Sequence, residues 1–455
     1  MPDSPSHKDE PSAIELHRRY RGKVQMIPKC PVRDDRDFAI WYTPGVAAPC
    51  KAIEADPKES YELTNRANSI AILSDGTRVL GLGNIGPTAG LPVMEGKALL
   101  FKILGGIDAI PLCVRVQSEE ELIRVAEAIE PTFGGINLED ISQPKCFRIL
   151  DTLRARMGIP VWHDDQQGTA VAAVAGLINA LRVVEKSLRA VRIAMVGMGA
   201  ANVATYRLLK QVGVSPGQIV GCDRQGILHP GRTDLEAAQQ EFTDKWRVCS
   251  ESNADHVTGG IAEALRGADA CLAFSQPGPQ TIRPEWVRAM TQRAIVFACA
   301  NPVPEIWPTA ARDAGAAVVA TGRNDFPNQV NNSLVFPGMF RGVLDVRATK
   351  ITVRMMLAAM HELGNAVEPG GLNADRILPP MSDRELPIRL AVAAGLEAQR
   401  EGVARLQLTG EAIRARATRI IKRTRATLDV LGREGLLNVD RSIDNGLDRN
   451  SVGRR

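Results

Sequence analysis

Four acidic residues, Glu139, Asp140, Asp164 and Asp165, lie at the ends of two short apolar runs of the sequence. This arrangement is typical of strands that deliver charged groups to the rim of a sheet. Carboxylates crowded at one rim repel one another unless a cation is present. Because these segments offer oxygen ligands and no cluster of Cys or His, they predict Mg²⁺ or Mn²⁺ rather than zinc. Taken alone, Glu139 and Asp140 fit equally well the start of a helix, where the helix dipole favours acidic side chains.

A glycine-rich turn beginning at Gly197 predicts a dinucleotide-binding unit. Gly197 and Gly199 permit a tight turn and the close approach of a pyrophosphate to a helix N-terminus. The next predicted strand ends at Asp223, where an acidic residue would hold a ribose hydroxyl. Asn202 replaces the third glycine of the fingerprint, which serves helix–sheet packing and not phosphate binding.

A second motif, residues 81–86, matches G-x-G-x-x-G in full. Pro87 and Pro92 follow it closely, so we expect no helix to begin cleanly there. The motif is interpreted either as a structural crossover or as a rigid turn that carries Arg78 and Lys97 into a cleft.

Length and composition indicate a globular protein of two or three domains. Of its 455 residues 44% are hydrophobic and 24% charged, and no apolar run is long enough to span a membrane. The first 20 residues are polar and charged, which argues against a secretory signal. Eight cysteines without a C-x-x-C pair are typical of reduced thiols, so we expect a cytoplasmic location.

The net charge of +4 comes from the end of the chain. Residues 405–455 contain 12 Lys and Arg against 6 Asp and Glu, and the rest is close to neutral, which argues against nucleic-acid binding. Residues 409–433 predict an amphipathic helix, either at a subunit interface or solvated without a partner. Its expected apolar face consists of Ile413, Ile420, Ile421, Leu428 and Leu431.

Alternating apolar runs and helical patterns predict an α/β fold with three parts. These are an N-terminal α/β catalytic domain (1–163), a doubly wound Rossmann-type parallel sheet (164–345) and a helical C-terminal segment with a basic extension (346–455). The predicted strands are 69–73, 109–116, 158–162, 192–196, 218–222, 270–274, 294–298 and 317–320. The predicted helices include a buried one at 168–184 and two C-terminal ones at 344–363 and 385–433.

Seven segments together resemble the malic enzyme family in its compact prokaryotic form. They are YTPGVA (42–47), SDG (74–76), GLGNIGPTAGLPVMEGK (81–97), GGINLEDI (134–141), HDDQQGTA (163–170), ANPVPE (300–305) and ATGRNDFPNQVNN (320–332). Several are long and peculiar to that family, and they follow its order. The resemblance implies oxidation of L-malate at C2 by NADP⁺ or NAD⁺, loss of CO₂ and release of pyruvate, with Mg²⁺ or Mn²⁺.

The resemblance also assigns roles to individual residues. Lys97 resembles the general base for the hydroxyl group, Tyr42 the general acid for the enol carbon, and Asp164 the carboxylate that orients the lysine. Lys97 then needs a lowered pKa, from burial or a nearby cation, and Tyr42 needs a cationic neighbour such as Lys97. The other implied residues bind the metal (Glu139, Asp140, Asp165), the coenzyme (Gly197, Gly199, Ala200, Ala201, Asn202, Asp223, Arg224, Asn301) and malate (Arg78, Asn301, Asn331, Asn332).

The sequence departs from the family pattern at a few positions. Gln167 stands where relatives often have histidine, and Trp41 where a small residue is common. Arg78 matches a substrate-binding arginine of the eukaryotic branch. At the coenzyme site Asp223 favours NAD⁺ and Arg224 favours the 2′-phosphate of NADP⁺, and since a guanidinium–phosphate pair is the stronger interaction we expect NADP⁺.

Three alternative functions stand beside this one. A malolactic enzyme would share the fold, metal and dinucleotide but would retain the coenzyme and release lactate. The intact catalytic residues argue against a catalytically silent binding protein, and no Asp–His proton relay of a simple malate dehydrogenase is evident. We expect a homodimer or higher homo-oligomer without nucleic-acid or membrane partners.

Overall fold

The computed structural model describes residues 12–437, apart from the side chain of Pro369. The outer ends of the first and last predicted domains therefore lie outside the described residues. In the described part of the chain no helix is long and apolar enough to cross a bilayer. Two sheets carry the fold and helices cover them, which confirms the expected α/β class.

The first sheet has four strands, all parallel, in the order β2-β1-β3-β4. They are β1 (Ser69–Ser74), β2 (Asp108–Cys113), β3 (Gly135–Leu138) and β4 (Val161–His163). Every residue of β1, β3 and β4 is buried, as expected for central strands of a parallel sheet. Because the strands run in one direction, the residues that follow β3 and β4 meet at the same edge.

The second sheet has six strands in the order β10-β9-β8-β5-β6-β7. They are β5 (Ile193–Val196), β6 (Ile219–Asp223), β7 (Gly226–Ile227), β8 (Ala270–Ala273), β9 (Ala294–Ala298) and β10 (Ala316–Thr321). Only the short β7 is antiparallel among the described strands. The chain leaves β5 to one side for β6 and later returns to its other side for β8, and ligands of doubly wound folds bind at such a crossover.

Eighteen α-helices pack around the sheets in the described part of the chain. They are α1 (Ala13–Tyr20), α2 (Asp35–Trp41), α3 (Ala47–Ala55), α4 (Ser60–Leu63), α5 (Gly86–Gly105), α6 (Glu119–Ile129), α7 (Lys145–Arg156), α8 (Thr169–Val183), α9 (Ala200–Gln211), α10 (Thr233–Ala237), α11 (Thr243–Glu251), α12 (Ile261–Leu265), α13 (Pro284–Arg288), α14 (Pro308–Asp313), α15 (Phe336–Asp345), α16 (Val353–Asn365), α17 (Leu386–Arg400) and α18 (Gly410–Arg433). The predicted Ala-rich helix corresponds to α8, which is buried over most of its length.

The two long C-terminal helices predicted from the sequence are each broken into two. Arg347 adopts a left-handed conformation (φ 51°) just after α15, and Ala348 then forms a β-bridge with Ala404. Gly402 (φ 69°) ends α17 in the same way. Buried or half-buried apolar residues also occur between α15 and α16 and between α17 and α18. The helical pattern of apolar residues therefore continues across both interruptions, and the sequence alone did not reveal them.

The expectation that no helix begins after the first glycine motif is wrong. Helix α5 begins at Gly86 with Pro87 in its first turn, where a missing N–H costs nothing because it would have no intrahelical partner. Pro92 lies one turn further on and removes a single hydrogen bond. Gly76 allows the strand end to touch this start, since a Cβ there would overlap the carbonyl of Gly86.

Helix α18 is amphipathic as predicted, and the first half of its apolar face packs on the same chain. Ile413 and Ile421 are buried against α17 and its neighbours, and Ile420 contacts Gly106 at the end of α5. Arg416 also forms an ion pair (3.1 Å) with the fully buried Asp345 of α15. The first half of the helix therefore packs on the core of this chain.

Replacing Ile421 by alanine should lower the free energy of unfolding by about 2–5 kcal/mol, because the side chain is only 1% exposed and its loss leaves a cavity. Val430 on the same helix is 46% exposed, and its replacement by alanine should change the stability by less than about 0.5 kcal/mol. Urea denaturation of both variants measures the difference. Equal effects would show that the face containing Ile421 is not packed in solution.

Candidate active site

Lys97 lies at the centre of the acidic edge of the first sheet. It projects from α5, is 8% exposed, and its Nζ lies 2.6 Å from Asp164 Oδ2 and 2.9 Å from Glu139 Oε1. The ring of Phe336 covers the ammonium group at 4.6 Å. The lysine and the carboxylates of the two separate motifs are thus brought into one buried cluster.

Glu139, Asp140 and Asp165 can offer a carboxylate oxygen each with all three atoms within 4.8 Å of one another. Asp140 follows β3 in a left-handed conformation (φ 54°), which is rare for a residue other than glycine and often marks a functional site. Its backbone N–H donates to Asp165 Oδ2 (2.8 Å), which fixes the two residues relative to each other. Asp140 Oδ2 is buried and has no hydrogen-bond partner among the described residues.

This donor set fits a hard divalent cation. Three carboxylate oxygens on rigid strand ends are ligands that Mg²⁺ and Mn²⁺ prefer, and an unpartnered buried carboxylate oxygen is costly unless a ligand binds it. The orientation of Asp164 comes from the backbone. A single π-helical turn, Asp164–Gly168, follows β4 and directs the Asp164 side chain toward Lys97.

Burial and neighbouring charges shift the pKa values of the carboxylates and of Lys97. Burial, and in addition the charge of Asp165, raise the pKa of Glu139 and Asp164, and raise that of Asp140 to about 8. Burial lowers the pKa of Lys97, but the charges of Asp164, Glu139 and Asp165 outweigh this and raise it. The protein groups alone therefore do not produce the lowered lysine pKa expected from burial.

Three side chains that support this cluster were missed by sequence reasoning. Trp162 Nε1 donates to Asp164 Oδ1 (2.9 Å), Asn137 Nδ2 donates to Glu139 Oε2 (2.8 Å), and Phe336 covers Lys97. The two-residue alternation of side chains along a strand could have indicated the first two, since each precedes its carboxylate by two positions. Phe336 lies far along the chain and gave no local signal.

The predicted coenzyme turn has the expected local geometry. Gly197 (φ 85°) leads from β5 to Gly199, which caps α9, so that Ala200 and Ala201 form the first turn of that helix. A Cβ at Gly197 would lie 2.7 Å from that of Ser275, so only glycine fits. Asn202 Nδ2 lies 2.9 Å from the Gly197 carbonyl oxygen, and it thereby braces the turn in place of the missing glycine.

The charge of Asp223 is compensated by two basic side chains. Arg232 Nη1 lies 3.1 Å from Asp223 Oδ1, and Lys245 Nζ lies 3.4 Å from Oδ2. Arg232 also pairs with Asp234 (2.7 Å). Arg224, which was expected to bind the phosphate, is exposed and forms no ion pair with the described residues.

Two of the three asparagines predicted to bind malate, Asn301 and Asn331, lie around Gly322. Asn331 Nδ2 donates to the Gly322 carbonyl (3.1 Å), and a Cβ at Gly322 would lie 2.8 Å from Asn301 Nδ2. Asn332 lies elsewhere, against Gly168 of the π-helical turn, where a Cβ on Gly168 would come within 3.0 Å of it. All three predicted amides are therefore at the carboxyl edges of the sheets.

Two of the predicted residues have exposed side chains, and of these only Arg78 borders the cluster. Tyr42 ends α2, is 72% exposed, and its side chain forms no hydrogen bond with the described residues. Neither a hydrogen bond nor a cation–π contact joins Tyr42 to Lys97, so the expected Tyr42–Lys97 pair is not formed within one chain. Arg78 is exposed and its guanidinium donates to the carbonyl of Leu80, while its backbone N–H donates to that of Asp140.

Comparison with known families matches nearly the whole described chain. Residues 21–154 match the family model of the malic enzyme N-terminal domain, and residues 166–398 match that of the malic enzyme NAD binding domain. The chain belongs to the malic enzyme family. The resemblance inferred from the seven segments is thereby confirmed, and the protein is an NAD(P)-dependent malic enzyme.

Individual relatives of this malic enzyme agree over most of their length. The bifunctional malic/malolactic enzyme of Bacillus subtilis is 43% identical over 405 residues, covering 88% of this chain and 96% of the relative. The NAD-dependent malic enzyme of Geobacillus stearothermophilus is 45% identical over 384 residues, covering 84% and 78%. Among solved structures, the malic enzyme of Entamoeba histolytica is 43% identical and superimposes with a TM-score of 0.90, covering 92% of this chain and 88% of that one.

Proposed function

We propose that this malic enzyme catalyses the divalent-metal-dependent oxidative decarboxylation of L-malate to pyruvate and CO₂. The observation that carries the proposal is Lys97, buried between Asp164 and Glu139 beside the unpartnered oxygen of Asp140. The edge of the first sheet thus provides a base and a cation site. The second sheet provides the predicted dinucleotide-binding turn. The eight cysteines are free thiols, which supports a reducing cytoplasm as the location.

The residues of the chain divide the proton and charge transfers between them. Lys97 Nζ accepts the C2 hydroxyl proton while the C2 hydride passes to C4 of the nicotinamide, giving a ketone and NAD(P)H. The C3–C4 bond then breaks, its electron pair forms the enolate of pyruvate, and CO₂ leaves. A proton delivered to C3 completes the reaction, and Tyr42 is the predicted donor.

Positioning and exclusion of water also come from side chains. Asp164 holds Nζ of Lys97 at 2.6 Å, and Trp162 holds Asp164, so the amine that acts as the base has one orientation. Phe336 and the burial of the cluster exclude solvent, which strengthens electrostatic interactions there. A divalent cation held by Glu139, Asp140 and Asp165 would polarise the ketone and stabilise the enolate, and its charge would oppose the effect of the carboxylates on the pKa of Lys97.

A malolactic outcome stays as the second candidate, because one relative is named a bifunctional malic/malolactic enzyme. We expect net formation of NAD(P)H with pyruvate in equal amount when malate and Mn²⁺ are supplied, measured by absorbance and by product analysis. Lactate without net NAD(P)H would instead identify a malolactic enzyme. A reaction lacking malate serves as the control.

For the coenzyme we propose NADP⁺, with NAD⁺ as a usable second choice. Arg232 and Lys245 offset the charge of Asp223, which reduces its repulsion of a 2′-phosphate. Arg224 is exposed and available to that phosphate. Replacing Arg224 by alanine should lower the NADP⁺/NAD⁺ ratio of kcat/KM about tenfold, as expected for the loss of a charge-assisted hydrogen bond.

Initial rates with both coenzymes test this preference, with Arg288→Ala as a control at another exposed arginine. An unchanged ratio in Arg224→Ala would show that this residue does not bind the phosphate. A parent enzyme that prefers NAD⁺ would contradict the choice of coenzyme itself.

We further propose that the enzyme works as a homo-oligomer. Apolar side chains of the segment before β1 are exposed, among them Met26 (89%), Phe38 (55%) and Ile40 (60%). Beside Ile40, a cleft of about 560 Å³ opens between α2 and α3. Exposed apolar side chains concentrated in one segment are typical of a protein–protein interface, and Tyr42 belongs to this segment.

If a second subunit brings Tyr42 to Lys97, two inactive variants should complement each other. Tyr42→Phe and Lys97→Ala, each with little activity alone, should regain up to about a quarter of the parent rate when unfolded and refolded together, because random pairing restores one intact site in part of the dimers. Each variant refolded alone is the control. No recovery in mixed dimers would place both residues of a site in one chain.

A further inference from the structure

Glu305 is a buried carboxylate that the proposed mechanism does not use. It ends the segment Asn301–Glu305, is fully buried, and takes part in none of the ion pairs found among the described residues. A charged group in the interior is costly unless hydrogen bonds compensate it. Its partners therefore indicate what it is for.

The carboxylate of Glu305 bridges the loops that follow two neighbouring strands. Oε1 accepts hydrogen bonds from the backbone N–H (2.7 Å) and the hydroxyl (3.0 Å) of Ser275, just after β8. Oε2 accepts one from the backbone N–H of Ala300 (3.0 Å), just after β9. Each oxygen holds one loop, so the side chain sets the distance between them.

The first glycine motif touches the same two loops from the other sheet. A Cβ at Gly81 would lie 2.5 Å from the carbonyl oxygen of Asn301 and would overlap Pro277, which follows Ser275. Only a glycine permits this approach, although its φ is not in the left-handed region. This contact gives the motif a role that its resemblance to a dinucleotide fingerprint did not indicate.

Both loops lead to the reacting end of the predicted coenzyme site. Ser275 packs against Gly197 of the coenzyme turn, so its position affects where the dinucleotide lies. Asn301 is the residue predicted to contact the nicotinamide end and malate, and its side chain packs on Gly322. A shift of either loop would therefore move the hydride acceptor relative to the substrate.

We infer that Glu305 and Gly81 are positioning residues. They hold the loop that contains Ser275 and the loop that contains Asn301 from two sides, and so place the nicotinamide against malate. The inference rests on the proposed function, which gives Asn301 its role. A carboxylate is required at residue 305 because both of its oxygens accept hydrogen bonds. A glutamine has only one such oxygen, and its NH₂ group would face a backbone donor.

Glu305→Gln and Gly81→Ala test this inference from opposite sides of the loops. We expect each variant to weaken NADPH binding, followed by fluorescence titration, at least about tenfold, and to lower kcat. In Glu305→Gln, Mn²⁺ binding, followed by electron paramagnetic resonance, should stay within about threefold of the parent, because no hydrogen bond or ion pair joins Glu305 to the acidic cluster among the described residues. Matched controls are Glu397→Gln on α17 and Gly432→Ala on α18.

The outcomes separate this inference from the proposed function. Unchanged NADPH binding and unchanged kcat in both variants would overturn the inference. A lower melting temperature would also overturn it if NADPH binding at temperatures below the transition were unchanged, because that result indicates a merely structural role. A parent enzyme that binds coenzyme but forms neither pyruvate nor lactate from malate would overturn the proposed function, whereas the effect on NADPH binding would still test the loops.

Discussion

Replacing Lys97 by alanine is expected to lower kcat for malate oxidation by about 10²–10⁴-fold, the usual contribution of a positioned acid–base group. The side chain is the only lysine within hydrogen-bonding distance of Asp164 and Glu139 among the described residues. Without it the C2 hydroxyl proton has no acceptor oriented by Asp164. Initial rates with malate, Mn²⁺ and saturating coenzyme measure the loss.

Lys102 provides a matched control for this variant. It lies on the same helix, α5, and pairs with Asp108 at 2.6 Å, but its side chain is 39% exposed. Lys102→Ala should keep kcat within about twofold, because exposed ion pairs contribute little. A melting temperature near that of the parent shows that the Lys97→Ala enzyme is folded. If this folded variant kept a tenth or more of the parent kcat, the result would contradict the role of Lys97 as general base.

Replacing Asp165 by alanine is expected to abolish turnover by removing the cation. Glu139 and Asp140 alone cannot complete the coordination, and the loss of a direct ligand should weaken Mn²⁺ binding by more than the roughly 10–100-fold typical of an outer-shell partner. Electron paramagnetic resonance measures free and bound Mn²⁺ directly, and rates over a series of Mn²⁺ concentrations measure its consequence.

The control for Asp165→Ala is Asp375→Ala, which removes an acidic residue from an exposed pair with Arg312. That variant should bind Mn²⁺ as the parent does. In the parent, chelation should stop turnover and added Mn²⁺ should restore it. Near-normal activity of Asp165→Ala at micromolar Mn²⁺ would show that Asp165 is not a ligand.

The sequence predicted which acidic side chains of this site lie together, because the signals for them are local. Glu139 and Asp140 directly follow one strand, Asp164 and Asp165 directly follow another, and parallel strands bring such ends to one edge. The turn at Gly197 is likewise contained in a single strand–turn–helix unit. Such short-range patterns depend on the alternation of side chains along a strand and on the conformations open to glycine. Both can be read from the residue types in sequence order.

Contacts between distant parts of the chain were beyond local pattern. Phe336 covers Lys97 and Lys245 pairs with Asp223, yet nothing near either residue in the sequence marked it. The start of α5 was mispredicted because the prolines were judged by their helix-breaking tendency and not by their place in the first turn. Local propensity is a weak guide where position within the element decides the cost.

The amino-acid sequence by itself determined the family, the α/β class, the acidic cluster and the coenzyme turn. Tertiary structure alone decided that Tyr42 is exposed and apart from Lys97, that Ile413 and Ile421 of α18 pack inside their own chain, and that Glu305 ties two loops together. The physical reason is the same in each case. Whether an apolar or charged side chain is buried depends on which surface the folded chain places against it, and no spacing along the sequence specifies that surface.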